Sequence, residues 1–119
     1  MYKVIKYTTS NGECPIDSFI KELIIDGCLN DVQKIKSYIR LLEINGEAIL
    51  RNSTWAKKLT SNIYELRPKS NRILFYLYLD DQFILLHGFK KKTQKTPTSE
   101  INKAIKEAKD FERRNSNGN

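Results

Sequence analysis

Apolar residues at Ile16, Phe19, Ile20, Leu23 and Ile24 recur at spacings of three and four, the pattern of a helix that buries one face. Pro15 suits its first turn and Gly27 its stop. A second stripe, Val32, Ile35, Tyr38, Ile39 and Leu42, predicts another helix, opened by Asn30 as N-cap and closed by Gly46. The link between them is short, so they form a helical hairpin whose apolar faces need a common partner. Ahead of it, Tyr2 to Tyr7 alternates loosely in β-prone residues before the turn chemistry of Ser10-Asn11-Gly12, which predicts a strand at about 2–8.

After the hairpin come three strand-like stretches, Asn62 to Arg67, Arg72 to Leu79 and Phe83 to Phe89. Pro68-Lys69-Ser70-Asn71 and Asp80-Asp81-Gln82 separate them as turns, giving a meander. Ile101, Ala104, Ile105 and Ala108 mark a last helix over about 98–113, with Thr96-Pro97 as cap and first-turn proline. The order β-α-α-β-β-β-α predicts an α+β domain, a helical hairpin packed on one face of a mostly antiparallel sheet. A chain of 119 residues suits one core, so residues 1–114 are read as a single domain and 115–119 as a disordered tail.

Strand alternation then sorts side chains by face. Tyr64, Leu66, Ile73, Phe75, Leu77 and Leu79 form the core side, while Glu65, Arg67, Arg72, Leu74, Tyr76 and Tyr78 point the other way. A four-residue loop at 68–71 sets Arg67 opposite Arg72, with Cα atoms about 5 Å apart, an arrangement in which like charges repel. Two readings follow: a two-arginine clamp for a phosphate, or one arginine neutralised by Glu65 and the other solvated. A two-residue turn at Asp80-Asp81 or Asp81-Gln82 puts Phe83, Leu85, His87 and Phe89 on the arginine face and Ile84 and Leu86 in the core, while a three-residue turn would flip that parity. Tyr76, Tyr78 and Phe89 there can stack on bases or serve as half-buried packing.

Charge sharpens this picture. The net +7 is not spread evenly: residues 1–56 hold seven basic and seven acidic side chains, residues 57–119 fourteen and seven. Residues 57–95 alone carry nine basic against three acidic groups, which reads as a binding face for a polyanion. Nothing marks export or membrane insertion, since the longest apolar run is Ile73 to Leu79, so a cytoplasmic protein without a membrane partner is expected. Cys14 and Cys28 flank about a dozen helical residues, some 18 Å apart at about 1.5 Å per residue, and read as small apolar fillers. There is no His pair at ligand spacing, no Cys-x-x-Cys, no Ser-His-Asp pattern and no glycine-rich phosphate loop; neither a cofactor nor a metal is expected.

Lys58-Leu59, Ile63-Tyr64-Glu65-Leu66-Arg67, Arg72-Ile73-Leu74-Phe75-Tyr76 and the run from Leu85 through His87-Gly88-Phe89-Lys90-Lys91-Lys92 to Thr96-Pro97, closing with Glu100-Ile101 and Ala104, resemble HigB-type toxins of the RelE/ParE superfamily, in a phage-derived-like branch. The match covers about residues 46–110. The resemblance implies the toxin of a type II toxin–antitoxin pair, an endoribonuclease that cuts mRNA in the ribosomal A site and so inhibits translation. It implies a HigA-like helix-turn-helix antitoxin as partner, and operator DNA only through the toxin–antitoxin complex. Cleavage would be metal-independent: the 2′-hydroxyl attacks its own phosphate, leaving a 2′,3′-cyclic phosphate and a 5′-hydroxyl.

On that basis Arg67 and Arg72 are expected as phosphate clamp, Lys57 or Lys58 as base, and His87 with Lys90 or Lys91, then Tyr76, as candidates for the acid. Tyr76, Phe89, Lys90, Lys91, Lys92 and Lys95 are expected to contact RNA or the ribosome. Two other readings stand beside this one: a ParE-like poison that binds DNA gyrase without cutting RNA, and a plain nucleic-acid-binding module.

Overall fold

The computed structural model describes residues 1–116. The chain runs β1 (Lys3–Lys6), α1 (Pro15–Ile25), α2 (Leu29–Asn45), a 3-10 turn (Gly46–Arg51), β2 (Ala56–Thr60), β3 (Ile63–Leu66), β4 (Asn71–Leu77), β5 (Gln82–Lys90) and α3 (Thr98–Ser116). One five-stranded sheet has the order β1-β5-β4-β3-β2, with β1 parallel to β5 and the other neighbours antiparallel. The α+β class, the helical hairpin and the mostly antiparallel sheet are as expected; the element order gains a strand, β2. Its Lys57-Lys58 pair hides it, because consecutive lysines break alternation and are typical of an edge strand that resists further pairing. Asn30 lies inside α2, whose N-cap is Cys28. Asn115 and Ser116, expected in a tail, belong to α3, where Asn115 Nδ2 donates to the Phe111 carbonyl at 2.8 Å; residues 117–119 lie outside the described residues.

Both faces of the sheet are covered. On one, α1 and α2 bury Ile16, Phe19, Leu23, Val32, Ile35 and Leu42 against Leu66, Ile73, Phe75, Phe83 and Leu85, with Tyr64 and Leu77 at the margin. On the other, α3 lays Ala104, Ala108 and Phe111 over Ile63, Leu74, Tyr76, Ile84 and Leu86. The face expected to lie open is thus a second core over most of its length. The run Ile73 to Leu79 carries the reason, since a strand apolar on both faces is buried on both faces. Cys14 and Cys28 are free thiols that pack against the first core.

Two irregularities set which side chains reach which core. Tyr78 N–H donates to the Gln82 carbonyl at 2.8 Å, closing a three-residue loop with Leu79 at φ 54. That loop pairs Leu77 with Phe83 and Phe75 with Leu85, so Phe83 and Leu85 face the hairpin, opposite to the side expected, and Ile84 faces α3. A bulge at Leu86 then shifts the register by one residue, so that His87 opposes Leu74 and Phe89 opposes Arg72. His87 and Phe89 therefore share the arginine face, as expected, although by a different route.

Two local features tie the ends of the chain down. Gly46 closes α2 at φ 57 and ψ −137, a region open essentially to glycine, and a Cβ there would run into the Tyr2 ring. Gly46→Ala is expected to cost about 1–3 kcal/mol by chemical denaturation. At the other end of the domain, Tyr7 donates to Asp110 Oδ2 at 2.6 Å, and Asp110 also receives Arg113 at 2.6 Å and Arg114 at 2.8 Å. Tyr7, then Arg114, hold the Asp110 carboxyl down at about 2, while burial, reinforced by Asp110, pushes the Tyr7 hydroxyl up to about 12. A depressed carboxyl contributes stability above its unfolded value that is lost as pH falls through the folded one. Asp110→Asn should flatten the acid-side loss of melting temperature between about pH 4 and 2. The raised tyrosine works at the opposite limb, its contribution complete below about pH 10 and lost as pH rises through 12.

Candidate nucleic-acid interface

The β3–β4 register runs Glu65 opposite Leu74 and Leu66 opposite Ile73, which carries Arg67 to the position opposite Arg72. What makes the juxtaposition of two cations tolerable is Glu65. It is buried, its Oε2 lies 3.5 Å from Arg67 Nε and 3.9 Å from Arg72 Nε, and its Oε1 accepts the Thr96 hydroxyl at 2.6 Å. Neutralisation by Glu65, expected for one arginine, is shared by both, and Arg72 is bonded to turn carbonyls where the same reading had one arginine solvated.

The two guanidiniums differ in freedom. Arg72 is 6 % exposed, and its Nη1 donates to the carbonyls of Lys69 and Asn71 at 3.1 and 2.8 Å. Burial, with a smaller push from Arg67, lowers its pKa against the opposing pull of Glu65. Arg67 is more open, and its Nη1 donates to the Ser53 carbonyl at 2.9 Å. Together they border an open basin of about 520 Å³ whose other walls are Lys34 and Tyr38 from α2, Ser53, Thr54 and Lys69. On the far side of Arg72, residues 91–97 and Phe89 enclose a narrow crevice.

The lysines divide by position. Lys57 opposes Glu65 and so shares the arginine face, whereas Lys58 opposes Tyr64 and shares the hairpin face; both are exposed. Lys90 and Lys69 approach the two oxygens of Asp31, at 3.5 and 3.2 Å, and Asn71 Nδ2 donates to the same carboxylate at 2.9 Å. The Asn71 hydrogen bond leads the causes that hold the Asp31 carboxyl below the usual range, with Lys69 and Lys90 adding to it. Lys91 N–H donates to the Ser70 carbonyl at 2.7 Å, which ties the lysine loop to the β3–β4 turn; Lys92 and Lys95 project into solvent.

Two expected site residues lie elsewhere. His87 is 2 % exposed beneath α3, with Nδ1 2.6 Å from Glu107 Oε1 and Nε2 2.9 Å from Glu100 Oε1. Both ring nitrogens are engaged, and two carboxylate contacts need either a doubly protonated ring or one protonated carboxyl. Tyr76 is buried in the second core, its hydroxyl donating to the Ala108 carbonyl at 3.4 Å and its ring against Tyr78 and Phe111; burial raises its pKa well above the ordinary phenol. Neither meets solvent on the basic face, because α3 covers that part of the sheet. Phe89 is half-buried beside His87, 6.0 Å between ring centroids, at the edge of the crevice.

Lys34, Tyr38, Ser53, Thr54 and Lys69 escaped the sequence reading as site residues. Lys34 and Tyr38 are one turn apart on α2, a spacing that places them together, but nothing in the pattern aims that edge of the helix at the arginine turn. The described residues contain no group of three or more His, Cys, Asp or Glu side chains placed to hold a metal ion.

Paired guanidiniums beside ammonium groups are donors of the kind that phosphate oxygens can accept from. Comparison with known families agrees with a toxin-like protein of the RelE/ParE type. Residues 30–109 match the family described as Phage derived protein Gp49-like (DUF891), and the chain belongs to that family. The family suggests the toxin of a toxin–antitoxin system, with an antitoxin as partner. No curated protein matches the chain. Among the described residues no helix is long and apolar enough to cross a membrane.

Proposed function

We propose that this chain is a HigB-like mRNA endoribonuclease that acts on the translating ribosome and is held in check by a HigA-like helix-turn-helix antitoxin. The observation that carries the reading is the pair Arg67 and Arg72, both anchored on the buried Glu65 carboxylate and bordering a basic basin open to solvent. In the reaction, the RNA 2′-hydroxyl attacks the adjacent phosphorus, and the bond from phosphorus to the 5′-oxygen breaks. The products are a 2′,3′-cyclic phosphate and a 5′-hydroxyl end. Negative charge gathers on the phosphate oxygens in the transition state, where donors that need no reorganisation contribute most.

Lys57, on the face of the arginines, is the proposed base; Lys58 lies on the opposite face. Lys91, beside the β3–β4 turn, is the proposed acid, with Lys90 as second candidate. Lys92, Lys95 and Phe89 supply contacts to RNA that position the substrate. Primer extension on mRNA in a translating extract tests the reading. New 5′ ends that vanish when ribosomes are omitted support it. Intact mRNA with inhibited DNA gyrase would replace it with a gyrase poison, and intact mRNA with active gyrase would leave a binding module.

A further inference from the structure

The strand β5 is nine residues long, but its parallel neighbour β1 covers only the first part, from Gln82 to Leu85. The last rung is the hydrogen bond from Tyr7 N–H to the Leu85 carbonyl, at 2.8 Å. Beyond it the chain turns away, with the Thr8 carbonyl bound by Arg114 and Thr9 N–H donating to the Glu13 carbonyl at 2.8 Å. Among the described residues no backbone hydrogen bond continues the β1 ladder past Leu85.

The direction of the uncovered groups follows from the ladder on the other side. Lys91 N–H donates to the Ser70 carbonyl in β4's direction. By two-residue alternation the backbone groups of Phe89 and His87 also face β4, and those of Gly88 and Lys90 face outward. An edge of five residues, Leu86 to Lys90, spans about 16 Å. It is not flush with the surface. Two adjoining hollows of about 410 and 300 Å³ meet at Gly88, walled by Phe19 and Glu22 of α1 on one side and by the first turns of α3 on the other.

We infer that this recessed edge is a docking slot for one extended segment of a protein partner, which adds to β5 as a strand in line with β1. A polypeptide backbone is the ligand whose alternating donors and acceptors match the outward groups of Gly88 and Lys90. RNA has no such ladder, and the slot is not uniformly basic, since Glu22, Asp26 and Glu100 stand in it beside Lys90 and Lys92. A second folded copy meets a steric obstacle, because α1 and α3 stand on both sides of the edge, whereas a single free segment fits between them. The segment places an apolar side chain over Phe19 and Gly88 and a basic one toward Glu22 and Asp26. The antitoxin suggested by the family is the partner to which the inference applies; it is independent of RNA cleavage.

The test uses the antitoxin encoded with the chain, purified as the complex and as separate proteins. Amide hydrogen exchange at Gly88 and Lys90 is expected to slow at least tenfold in the complex relative to the free chain. Lys90→Pro removes one outward N–H at an edge that tolerates proline, and is expected to weaken antitoxin binding roughly tenfold, while Lys90→Gln, which loses only the charge, stays within about threefold. Equal exchange at both amides in the free and bound chain overturns the inference, whether or not Lys90→Pro folds. Folded Lys90→Pro that binds as the parent does the same. So does protection that grows with concentration of the free chain, which would mean a second copy, or protection by a single-stranded RNA oligonucleotide in place of the antitoxin.

Discussion

Arg67→Ala and Arg72→Ala are each expected to lower ribosome-dependent mRNA cleavage by about 10²–10³-fold, the usual loss when one fixed donor to a developing oxyanion is removed. Growth inhibition on induction should disappear with it. The two variants should differ in stability. Arg67 is the more open of the two, and its loss leaves Glu65 with Arg72 and Thr96. Arg72 is 6 % exposed, and its guanidinium also satisfies two carbonyls of the β3–β4 turn. Its removal strands those acceptors and should cost about 1–3 kcal/mol. Arg72→Lys should not rescue cleavage, since an ammonium cannot serve two carbonyls and a carboxylate in the same planar geometry. Urea denaturation of both alanine variants separates fold from function. Two folded variants that still stop growth would remove the arginine clamp from the mechanism.

Glu107→Ala is expected to be the most damaging single change outside the two apolar cores. It takes the closer carboxylate from a histidine that is 2 % exposed, leaving a buried ring nitrogen without a partner. Breaking one side of a buried pair costs about 3 kcal/mol or more, roughly 10 °C in melting temperature for a domain of this size. Glu100→Ala should cost far less, about 1 kcal/mol, because Glu100 is 30 % exposed and solvent replaces part of what it gives. The damage should be local at first. Amide exchange ought to quicken along α3, which closes the second core over Tyr76 and Ile84. A Glu107→Ala variant no less stable than Glu100→Ala would mean that the His87 contacts do not fasten α3.

The arginine pair could be read from the chain because it depends on local counting. Four turn-prone residues between two alternating strands fix the register, and the register fixes Arg67 against Arg72. The helical hairpin was legible for the same kind of reason, a three-and-four periodicity sustained over both helices. What alternation alone misses is coverage. Leu74 and Tyr76 look like outward residues until Ala104, Ala108 and Phe111 are seen to share one face of α3 with Glu100 and Glu107. That face was partly visible in the sequence as the small and branched apolar residues of the last helix, but the engagement of Glu100 and Glu107 with His87 was not. β2 was missed because its lysines obscure alternation, and the basin residues Lys34 and Tyr38 because their placement depends on how α2 lies across the sheet. The family description, covering residues 30–109, meets the reading of a basic, toxin-like domain at the same level of detail.

The bulge at Leu86 has a consequence for how this domain tolerates changes in length. The three-residue loop after Tyr78 advances the pairing by one position, and Leu86 returns it. The strand thus carries one residue more than alternation needs, because Leu85 faces the hairpin while Leu86 and His87 both lie on the α3 side. Deleting Leu86 alone joins Leu85 to His87 in plain alternation and leaves every other side chain on its present face, so that variant should fold, losing chiefly the packing of one buried leucine. Length variation among relatives should then be tolerated at position 86, in the middle of a buried strand, where a gap would ordinarily be excluded.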